Sequence, residues 1–230
     1  MSARQAGAWM LSILCASACA QLEAASSKEN DCLYATTSGG RAIPGAGCQD
    51  SDPLDLARDP AVLTAMRAYG IPAGLVRFKG CQDLPFSVTP DVPGPRGGYV
   101  VNYPANAGGR TLAPVVHELA HVRQMEDFGG LSALLQRFHV KRIELDADHM
   151  AGAVFATQFP SLPLREFEQN LLLMGAYREI GEDGHGSPEE RIAAFRTGVF
   201  LTPAKLAQDL SRISNDFMRD GYGQVVSATH

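Results

Sequence analysis

The character of the sequence changes at Thr111, and this change limits the possible folds more than any other feature. Before Thr111, three short runs at 75–79, 86–89 and 99–103 are rich in β-branched and aromatic residues and are separated by glycine and proline clusters, which is typical of β-strands. After Thr111, apolar residues recur at helical spacing. We therefore predict an α+β fold in a single domain, in which a small antiparallel sheet is followed by a helical half.

Glycine and proline residues divide the chain into separate helices. The expected helical segments are 59–70 ahead of the strands, then 112–128, 131–138, 140–158, 163–180, one that begins at 188, and 203–221. The helix that begins at 188 has a strong start signal, because Ser187 can cap it, Pro188 fits its first position and Glu190 occupies its third. Gly221 is expected to end the last helix.

The first twenty residues have the features of a secretory signal peptide. Arg4 supplies a positive charge, an apolar stretch follows at 6–16, and small residues up to Ala20 provide a cleavage site. We therefore expect residues 1–20 to be removed and the protein to be exported, either to the periplasm or as a secreted protein. Two alternatives are less favoured. The first is a buried N-terminal helix. The second is a lipid anchor at Cys19, which usually requires a large aliphatic residue shortly before the cysteine, whereas the residues just before Cys19 are all small.

Composition divides the rest of the chain into three parts. Residues 21–58 are rich in Ser, Gly, Asp and Ala and are expected to form a loosely structured leader. Residues 59–221 are expected to form the folded domain, and 222–230 a tail. The net charge is −5 and the basic residues are scattered, which argues against nucleic acid as a partner. Beyond residue 20, no apolar run approaches the ~20 residues of a transmembrane span.

Three cysteines lie outside the predicted signal peptide, namely Cys32, Cys48 and Cys81. An exported chain with three cysteines can form one disulfide and keep one thiol. The tetrapeptide Gly-Cys-Gln-Asp occurs twice, at 47–50 and 80–83, and we slightly favour a bridge from Cys48 to Cys81 over one from Cys32. Metal binding by these thiols is a weaker alternative, because the chain has no CxxC pair.

The segment His117-Glu118-Leu119-Ala120-His121 has the form HExxH within a predicted helix. Residues four apart on a helix share one face, so the two imidazoles can hold one Zn²⁺ while Glu118 reaches a water on that ion. The alternative is a helix with two surface histidines and a Glu that forms a salt bridge. It is disfavoured because the neighbouring positions are apolar: Val115, Val116, Leu119 and Ala120.

A catalytic zinc site needs a third protein ligand, and the helix predicted at 140–158 offers one. Glu144 and Asp148 are again four residues apart, so both carboxylates face the same way. Glu144 can ligate the metal while Asp148 accepts a hydrogen bond from a ligand imidazole and fixes its tautomer. Asp146 points elsewhere and is expected at the surface. The alternative, a solvated acidic helix face, is disfavoured by the HExxH segment that precedes it.

Three motifs together resemble those of a known family. HELAH, ELDADHMAG and HGSPEERIAAFRTG, spread over residues 112–200, are similar to the motifs of the bacterial neutral zinc metallopeptidases, which belong to the glutamate-ligand zincins, as does thermolysin. The resemblance implies a zinc-dependent, zincin-like peptidase domain. It also implies that His117, His121 and Glu144 are the zinc ligands and that Glu118 is the general base.

His185 precedes the capped helix and is expected to donate a hydrogen bond to the oxyanion of the tetrahedral intermediate. Arg191 either orients His185 or pairs with an acid such as Asp148. The alternative for both is that His185 is an exposed loop residue and Arg191 an ordinary surface charge. The other histidines receive no function: they are placed in a loop, on a helix flank and in the tail, at His139, His149 and His230.

These predictions combine into one function: an exported zinc metallopeptidase that hydrolyses peptides or proteins with a metal-activated water and Glu118 as the base. The strand at 99–103 could bind an extended substrate by edge pairing. Two alternatives stay open. The first is a zinc-binding envelope or interaction protein without turnover, and the second is a zinc amidase that acts on cell-wall peptides, because its chemistry would be the same.

Overall fold

Strands and helices occupy separate stretches of the chain, which confirms the predicted α+β class. The computed structural model describes residues 48, 51–82, 86–91, 97–108, 111–172 and 184–229, all within one unit that spans 31–230. The predicted signal peptide, most of the predicted leader, Cys32, His230 and the second half of the helix predicted at 163–180 lie outside the described residues.

The described part of the chain forms three strands and a series of helices. The strands are β1 (Val76–Cys81), β2 (Ser87–Pro90) and β3 (Tyr99–Pro104). The helices are α1 (Pro60–Ala68), α2 (Leu112–Phe128), α3 (Leu131–Arg137), α4 (Val140–Gln158), α5 (Leu164–Leu172), α6 (Pro188–Val199), α7 (Pro203–Leu206), α8 (Leu210–Asp216) and α9 (Tyr222–Thr229). A 3-10 turn at Leu56–Arg58 precedes α1, and a π-helical turn at Phe217–Gly221 joins α8 to α9.

The sheet is mixed and not wholly antiparallel as predicted. Its strand order is β1-β3-β2, with β3 parallel to β1 and antiparallel to β2. Neighbouring strands in sequence commonly form hairpins, and β2 and β3 do so. β1 instead pairs with the other edge of β3, and the two strands run parallel. The local pattern of each strand does not encode this choice of partner.

The central position of β3 makes the predicted edge pairing wrong. Both edges of β3 are already hydrogen-bonded to neighbouring strands, so a substrate cannot add to it. The first five residues of β3 are all buried, as expected for a strand enclosed by neighbours. Tyr99 donates a hydrogen bond from its hydroxyl to Oε1 of Glu126 at 2.6 Å and so fastens the sheet to α2.

A disulfide and a tyrosine fasten the stretch before α1 to the sheet. Cys48 and Cys81 are bridged, which confirms the pairing favoured from the sequence. The hydroxyl of Tyr103 donates a hydrogen bond to Asp52 and accepts one from the backbone N–H of Leu54 at 3.1 Å. The described end of the predicted leader is therefore held against β1 and β3 by covalent and polar contacts.

The chain continues as helix beyond Gly221, where the sequence predicted an end. The turn at Phe217–Gly221 is π-helical, and it leads directly into α9 (Tyr222–Thr229), which lies in the predicted tail. Val225 is buried in this helix, where it packs with Phe217 and Ala194. Burial of this apolar face explains why the helix continues through a glycine.

No described helix is both long enough and apolar enough to cross a membrane.

Helices α4 and α6 pack with their backbones in direct contact. A Cβ atom at Gly152 would lie 2.0 Å from the carbonyl oxygen of Phe195, and one at Gly198 would lie 1.9 Å from that of His149. Real Cβ contacts are never this short, so both positions need glycine for the helices to meet. This contact sets the distance between the two helices that carry Asp148 and Arg191.

We expect Gly152→Ala to lower the free energy of unfolding by about 1–3 kcal/mol, because the added methyl group forces α4 and α6 apart. Gly223→Ala is the matched control, since a Cβ at Gly223 in α9 would have no neighbour within 4 Å. The control should be neutral or stabilising by up to ~1 kcal/mol, because alanine favours helix. Denaturant unfolding measures both changes, and equal effects of the two variants would contradict this account.

His149 lies on α4, within the helix predicted at 140–158, and its side chain is buried. Its Nδ1 lies 2.9 Å from Oγ1 of Thr197, and its ring stacks on Phe217 with 4.4 Å between the ring centroids. Burial, together with the positive charge of Lys205, lowers the pKa of His149 from 6.5 to about 4, although a hydrogen bond to the backbone of Ala194 opposes the shift. The imidazole is therefore neutral at neutral pH.

This shift predicts an acid-sensitive contribution to stability. Above pH 6.5 His149 is neutral in both states and its titration contributes nothing. As the pH falls toward 4, the unfolded chain binds a proton at His149 that the folded chain does not. The free energy of unfolding therefore falls by on the order of 3 kcal/mol. We expect His149→Asn to reduce the slope of unfolding free energy against pH between 6.5 and 4, as measured by denaturant unfolding. A slope equal to that of the parent would contradict it.

Candidate metal centre

Two imidazoles and one carboxylate meet in the buried contact between α2 and α4. His117 and His121 lie one turn apart on α2, and their Nε2 atoms are 3.1 Å apart. From α4, Oε2 of Glu144 lies 3.2 Å from Nε2 of His117, and its Oε1 lies 3.5 Å from Nε2 of His121. None of the three side chains is exposed to solvent. The structure therefore brings together the three residues predicted as ligands.

A tight turn between α2 and α4 makes this meeting possible. α2 ends at Gly129, which has a φ of 82°, and Gly130 follows with a φ of 104°. Residues with a side chain rarely adopt these values, so the glycine pair allows the chain to reverse. After the short helix α3 the chain enters α4, which lies against α2 and presents Glu144 to the two histidines.

A charged network fixes the ring of His117. Its Nδ1 lies 2.8 Å from Oδ1 of Asp148, and Arg191 of α6 donates two hydrogen bonds to the same carboxylate, at 2.7 and 2.8 Å. Burial opposes ionisation of Asp148, but Arg191 and His117 hold its pKa below the usual value. An ionised Asp148 accepts the Nδ1 proton of His117, so the Nε2 atom faces Glu144. Burial lowers the pKa of His117, but the carboxylates of Asp148 and Glu144 outweigh it and raise that pKa from 6.5 to about 9.

A neutral side chain fixes the ring of His121. Its Nδ1 lies 2.8 Å from Oε1 of Gln124. The amide nitrogen of Gln124 donates to the carbonyl oxygen of Ile143 at 2.9 Å and to Oδ2 of Asp146 at 2.8 Å. Because both neighbours of the amide nitrogen are acceptors, the amide oxygen must face His121, and it accepts the Nδ1 proton. The tautomer of His121 with its proton on Nδ1 has its lone pair on Nε2.

The two networks turn both Nε2 atoms toward the carboxylate of Glu144. Without a metal ion, a proton on Nε2 of His117 can be shared with Glu144, since these atoms lie 3.2 Å apart. A divalent ion bound by the three groups would replace that proton. One donor atom from each of His117, His121 and Glu144 lies within 4.8 Å of the other two, as a shared ion requires. These residues therefore fit a metal ion, and they form the candidate metal centre.

Glu118 lies beside the candidate metal centre without being part of it. Both of its carboxylate oxygens are buried, and neither has a hydrogen-bond partner within the described part of the chain. Burial raises the pKa of Glu118, although the nearby imidazoles of His117 and His121 oppose this shift. An unpaired buried carboxylate is costly and therefore uncommon, so its presence here indicates a role that is not structural.

Glu144 has the opposite electrostatic environment. Burial by itself would raise the pKa of its carboxyl group, but the imidazoles of His185 and His121 hold that pKa well below its usual range. Glu118 and Glu144 are both fully buried and lie on helices in contact, yet only Glu144 is surrounded by nitrogen atoms. Glu144 is therefore the carboxylate suited to a positive ion, and Glu118 is the one suited to accept a proton.

His185 and Arg191 are both buried, and they occupy different parts of the site. Nδ1 of His185 lies 3.3 Å from Oε1 of Glu144, and its Nε2 is buried without a hydrogen-bond partner among the described residues. Arg191 pairs with Asp148, which is one of the two arrangements expected for it. The Ser187–Glu190 capping box forms as predicted directly after His185, so the loop that carries the imidazole ends at a fixed helix start.

The prediction that Asp146 lies at the surface is wrong. Asp146 is fully buried and accepts hydrogen bonds at Oδ2 from Gln124 and from the hydroxyl of Ser214, the latter at 2.6 Å. Burial raises its pKa to about 7, although the bonds from Ser214 and Gln124 oppose the shift. α4 has neighbours on several sides, so a residue two positions from Glu144 meets α8 instead of water. His139, at the N-terminus of α4, is exposed.

Sequence reasoning missed Gln124, Ser214 and Lys141. Gln124 follows His121 by three residues, so helical spacing could have suggested a contact between their side chains. Ser214 comes from a helix distant in sequence and carries no such signal. Lys141 forms a buried ion pair with Glu190 at 2.8 Å, which joins α4 to the start of α6.

Comparisons with protein-family models, with curated proteins and with solved structures find no match to this chain.

We expect the purified protein to bind about one divalent ion per chain at the candidate metal centre, and His121→Ala to abolish this binding because it removes one of three donors. His139→Ala is the matched control, since it removes an exposed imidazole from the neighbouring helix α4. Zinc at 100 times its Kd should stabilise the parent and the control by about 2.7 kcal/mol. Metal content and zinc-dependent unfolding measure the effect, and equal retention by His121→Ala would contradict the assignment.

Proposed function

We propose that the protein is an exported zinc metallopeptidase, in which His117, His121 and Glu144 hold the ion and Glu118 is the general base. The observation that carries this proposal is the pair of buried Glu118 oxygens, which have no hydrogen-bond partner among the residues that the structure describes, beside three converging metal-binding groups. A site that only stored or carried metal would have no use for a buried carboxylate that binds neither the ion nor a protein group.

The donor set and its spacing favour zinc. Two imidazole nitrogens and one carboxylate oxygen form a ligand set that catalytic zinc sites use, with one position left open. Ligands ~2.0–2.1 Å from zinc at tetrahedral corners lie about 3.3–3.4 Å from one another. The Nε2 atoms of His117 and His121 are 3.1 Å apart, and two different oxygens of Glu144 lie 3.2 Å from the first and 3.5 Å from the second. These distances are close to the spacing of ligands around one tetrahedral ion.

Glu118 supplies the proton transfers that peptide hydrolysis needs. Zinc bound by this ligand set would polarise the scissile carbonyl group and lower the pKa of a water toward ~7. The free carboxylate of Glu118 then accepts a proton from the attacking water, and it delivers that proton to the amine that leaves. Burial favours the first of these steps, because it raises the affinity of Glu118 for a proton.

His185 is the group best placed to assist a substrate oxygen. Its Nδ1 side faces Glu144, and its buried Nε2 atom lacks a partner within the described part of the chain. In the form that carries a proton on Nε2, this ring can donate a hydrogen bond to the oxygen that develops negative charge. The capping box at Ser187, two residues further on, limits movement of the His185 backbone.

Two further observations support export and the choice of substrate. A disulfide between Cys48 and Cys81 is typical of proteins in an oxidising compartment, and it agrees with the predicted signal peptide at 1–20. The motifs at 112–200 resemble those of zinc peptidases, which favours a peptide bond as the substrate. The alternative zinc amidase would use the same groups on a cell-wall peptide, and the alternative binding protein would hold zinc without turnover.

The proposal predicts that Glu118→Gln keeps its zinc and loses about 10²–10⁴-fold in kcat, because the amide cannot accept the proton. The measurement is hydrolysis of fluorescently labelled casein by zinc-loaded protein, with metal content determined on the same samples. Glu166→Gln is the matched control, since it makes the same change at an exposed position of α5. It should retain the activity of the parent.

Three results would contradict the proposal in distinct ways. Equal turnover by Glu118→Gln and the parent would remove Glu118 from the mechanism. Zinc retained by a parent that hydrolyses neither casein nor purified cell-wall peptides would favour the non-catalytic binding protein. Hydrolysis of cell-wall peptides alone would favour the amidase.

A further inference from the structure

A chain of hydrogen bonds leads from the candidate metal centre to a helix far away in sequence. Gln124 accepts from Nδ1 of His121, and its amide nitrogen donates to Oδ2 of Asp146. The same oxygen of Asp146 accepts a hydrogen bond from the hydroxyl of Ser214 on α8. All four side chains are buried. We call this set of residues, His121, Gln124, Asp146 and Ser214, the His121 relay.

We infer that Gln124 and Asp146 are positioning residues that fix the His121 ring, and that the His121 relay thereby makes metal affinity depend on the docking of α8. This inference rests on the proposed metal site. It assigns to the two residues a function beyond packing, and it assigns to the C-terminal helices a part in holding the ion.

The direction of each hydrogen bond in the relay is determined by chemistry. Gln124 and Ser214 both donate to Oδ2 of Asp146, which can accept from them when the carboxyl group is ionised or when it carries its proton on the other oxygen. The second amide hydrogen of Gln124 is donated to the carbonyl oxygen of Ile143, which can only accept. The amide of Gln124 therefore cannot turn over without losing two hydrogen bonds, and its oxygen stays directed at His121.

Loss of that oxygen would affect the ring more than the fold. Without an acceptor, a buried Nδ1–H of His121 has no partner, and the proton is better placed on the other ring nitrogen. A proton on Nε2 occupies the lone pair that would bind the ion. The relay therefore selects the tautomer of His121 that can act as a ligand. Asp148 has the same effect on His117, because it accepts the Nδ1 proton of that ring directly.

The two imidazoles are fixed from two different helices. The network at His117 ends at Arg191 on α6, whereas the His121 relay ends at Ser214 on α8. α8 also contacts α2 directly, because Arg123 hydrogen-bonds to the hydroxyl of Ser211. Docking of α8 is thus connected to the position of His121 in two ways: by the hydrogen bond from Ser214 to Asp146, and by the hydrogen bond between Arg123 and Ser211.

The experiment substitutes the two residues at the centre of the relay. Gln124→Leu keeps the approximate size of the side chain and removes every hydrogen bond. Asp146→Leu removes the acceptor that orients Gln124, whereas Asp146→Asn keeps an oxygen that can accept from Gln124 and Ser214. Gln136→Leu on the exposed face of α3 is the matched control for Gln124→Leu. Ser214→Ala removes only the outer hydrogen bond and is the mildest variant.

Three readouts separate positioning from stability. Zinc affinity is measured by competition with a chelator, cobalt(II)-loaded protein is examined by its visible absorption spectrum, and the free energy of unfolding is measured without metal. We expect Gln124→Leu and Asp146→Leu to weaken zinc binding by about 10–100-fold and to shift the cobalt spectrum, which a purely structural role would leave unchanged. Asp146→Asn and Gln136→Leu should keep the affinity of the parent, and Ser214→Ala should weaken binding less than Gln124→Leu.

The outcomes distinguish this inference from the proposed function. A parent that binds no zinc overturns the metal site and the relay together. If the parent binds zinc, and Gln124→Leu binds it with equal affinity and gives an unchanged cobalt spectrum, the relay alone is overturned. If the leucine variants do not fold, Ser214→Ala and Asp146→Asn decide the question. Affinity unchanged in Ser214→Ala, or lost in Asp146→Asn, would then overturn the relay.

Discussion

The convergence of two imidazoles and a carboxylate in a buried contact is the constraint on which the rest of the helical half depends. The facing atoms of His117, His121 and Glu144 lie 3.1 to 3.5 Å apart between α2 and α4. Each of these groups would find better partners in water. The surrounding helices hold the rings in place through hydrogen bonds to the far side of each ring, and a shared proton or a metal ion can lie among the three groups.

The two imidazoles are held by different means, and this difference limits the charge of the site. Asp148 brings a negative charge to His117, but Arg191 neutralises it with a two-point contact. Gln124 brings no charge to His121. Glu144 is consequently the carboxylate that supplies negative charge to the ligand set. The close packing at Gly152 keeps Arg191 near enough to Asp148 for this balance to hold.

Helical spacing made much of the site predictable, because residues four apart on one helix share a face. This rule is enough to place His117 with His121, and Glu144 with Asp148. It does not say what covers the other faces of the same helices. Asp146 was expected in water and lies against α8, and β3 was expected at a sheet edge and lies in the middle, since both depend on contacts between segments distant in sequence.

Glu118 and Glu144 show how one fold can use the same side chain in two ways. Glu118 directly follows His117 on α2, so helix geometry turns it about 100° away from the face that carries both imidazoles. Glu144 approaches that face from the opposite helix and meets their nitrogen atoms. The position of Glu118 therefore excludes it from the ligand set while keeping it within the same buried space. A carboxylate left unpaired there retains the affinity for a proton that a paired one has lost, and that retained affinity is what a general base requires.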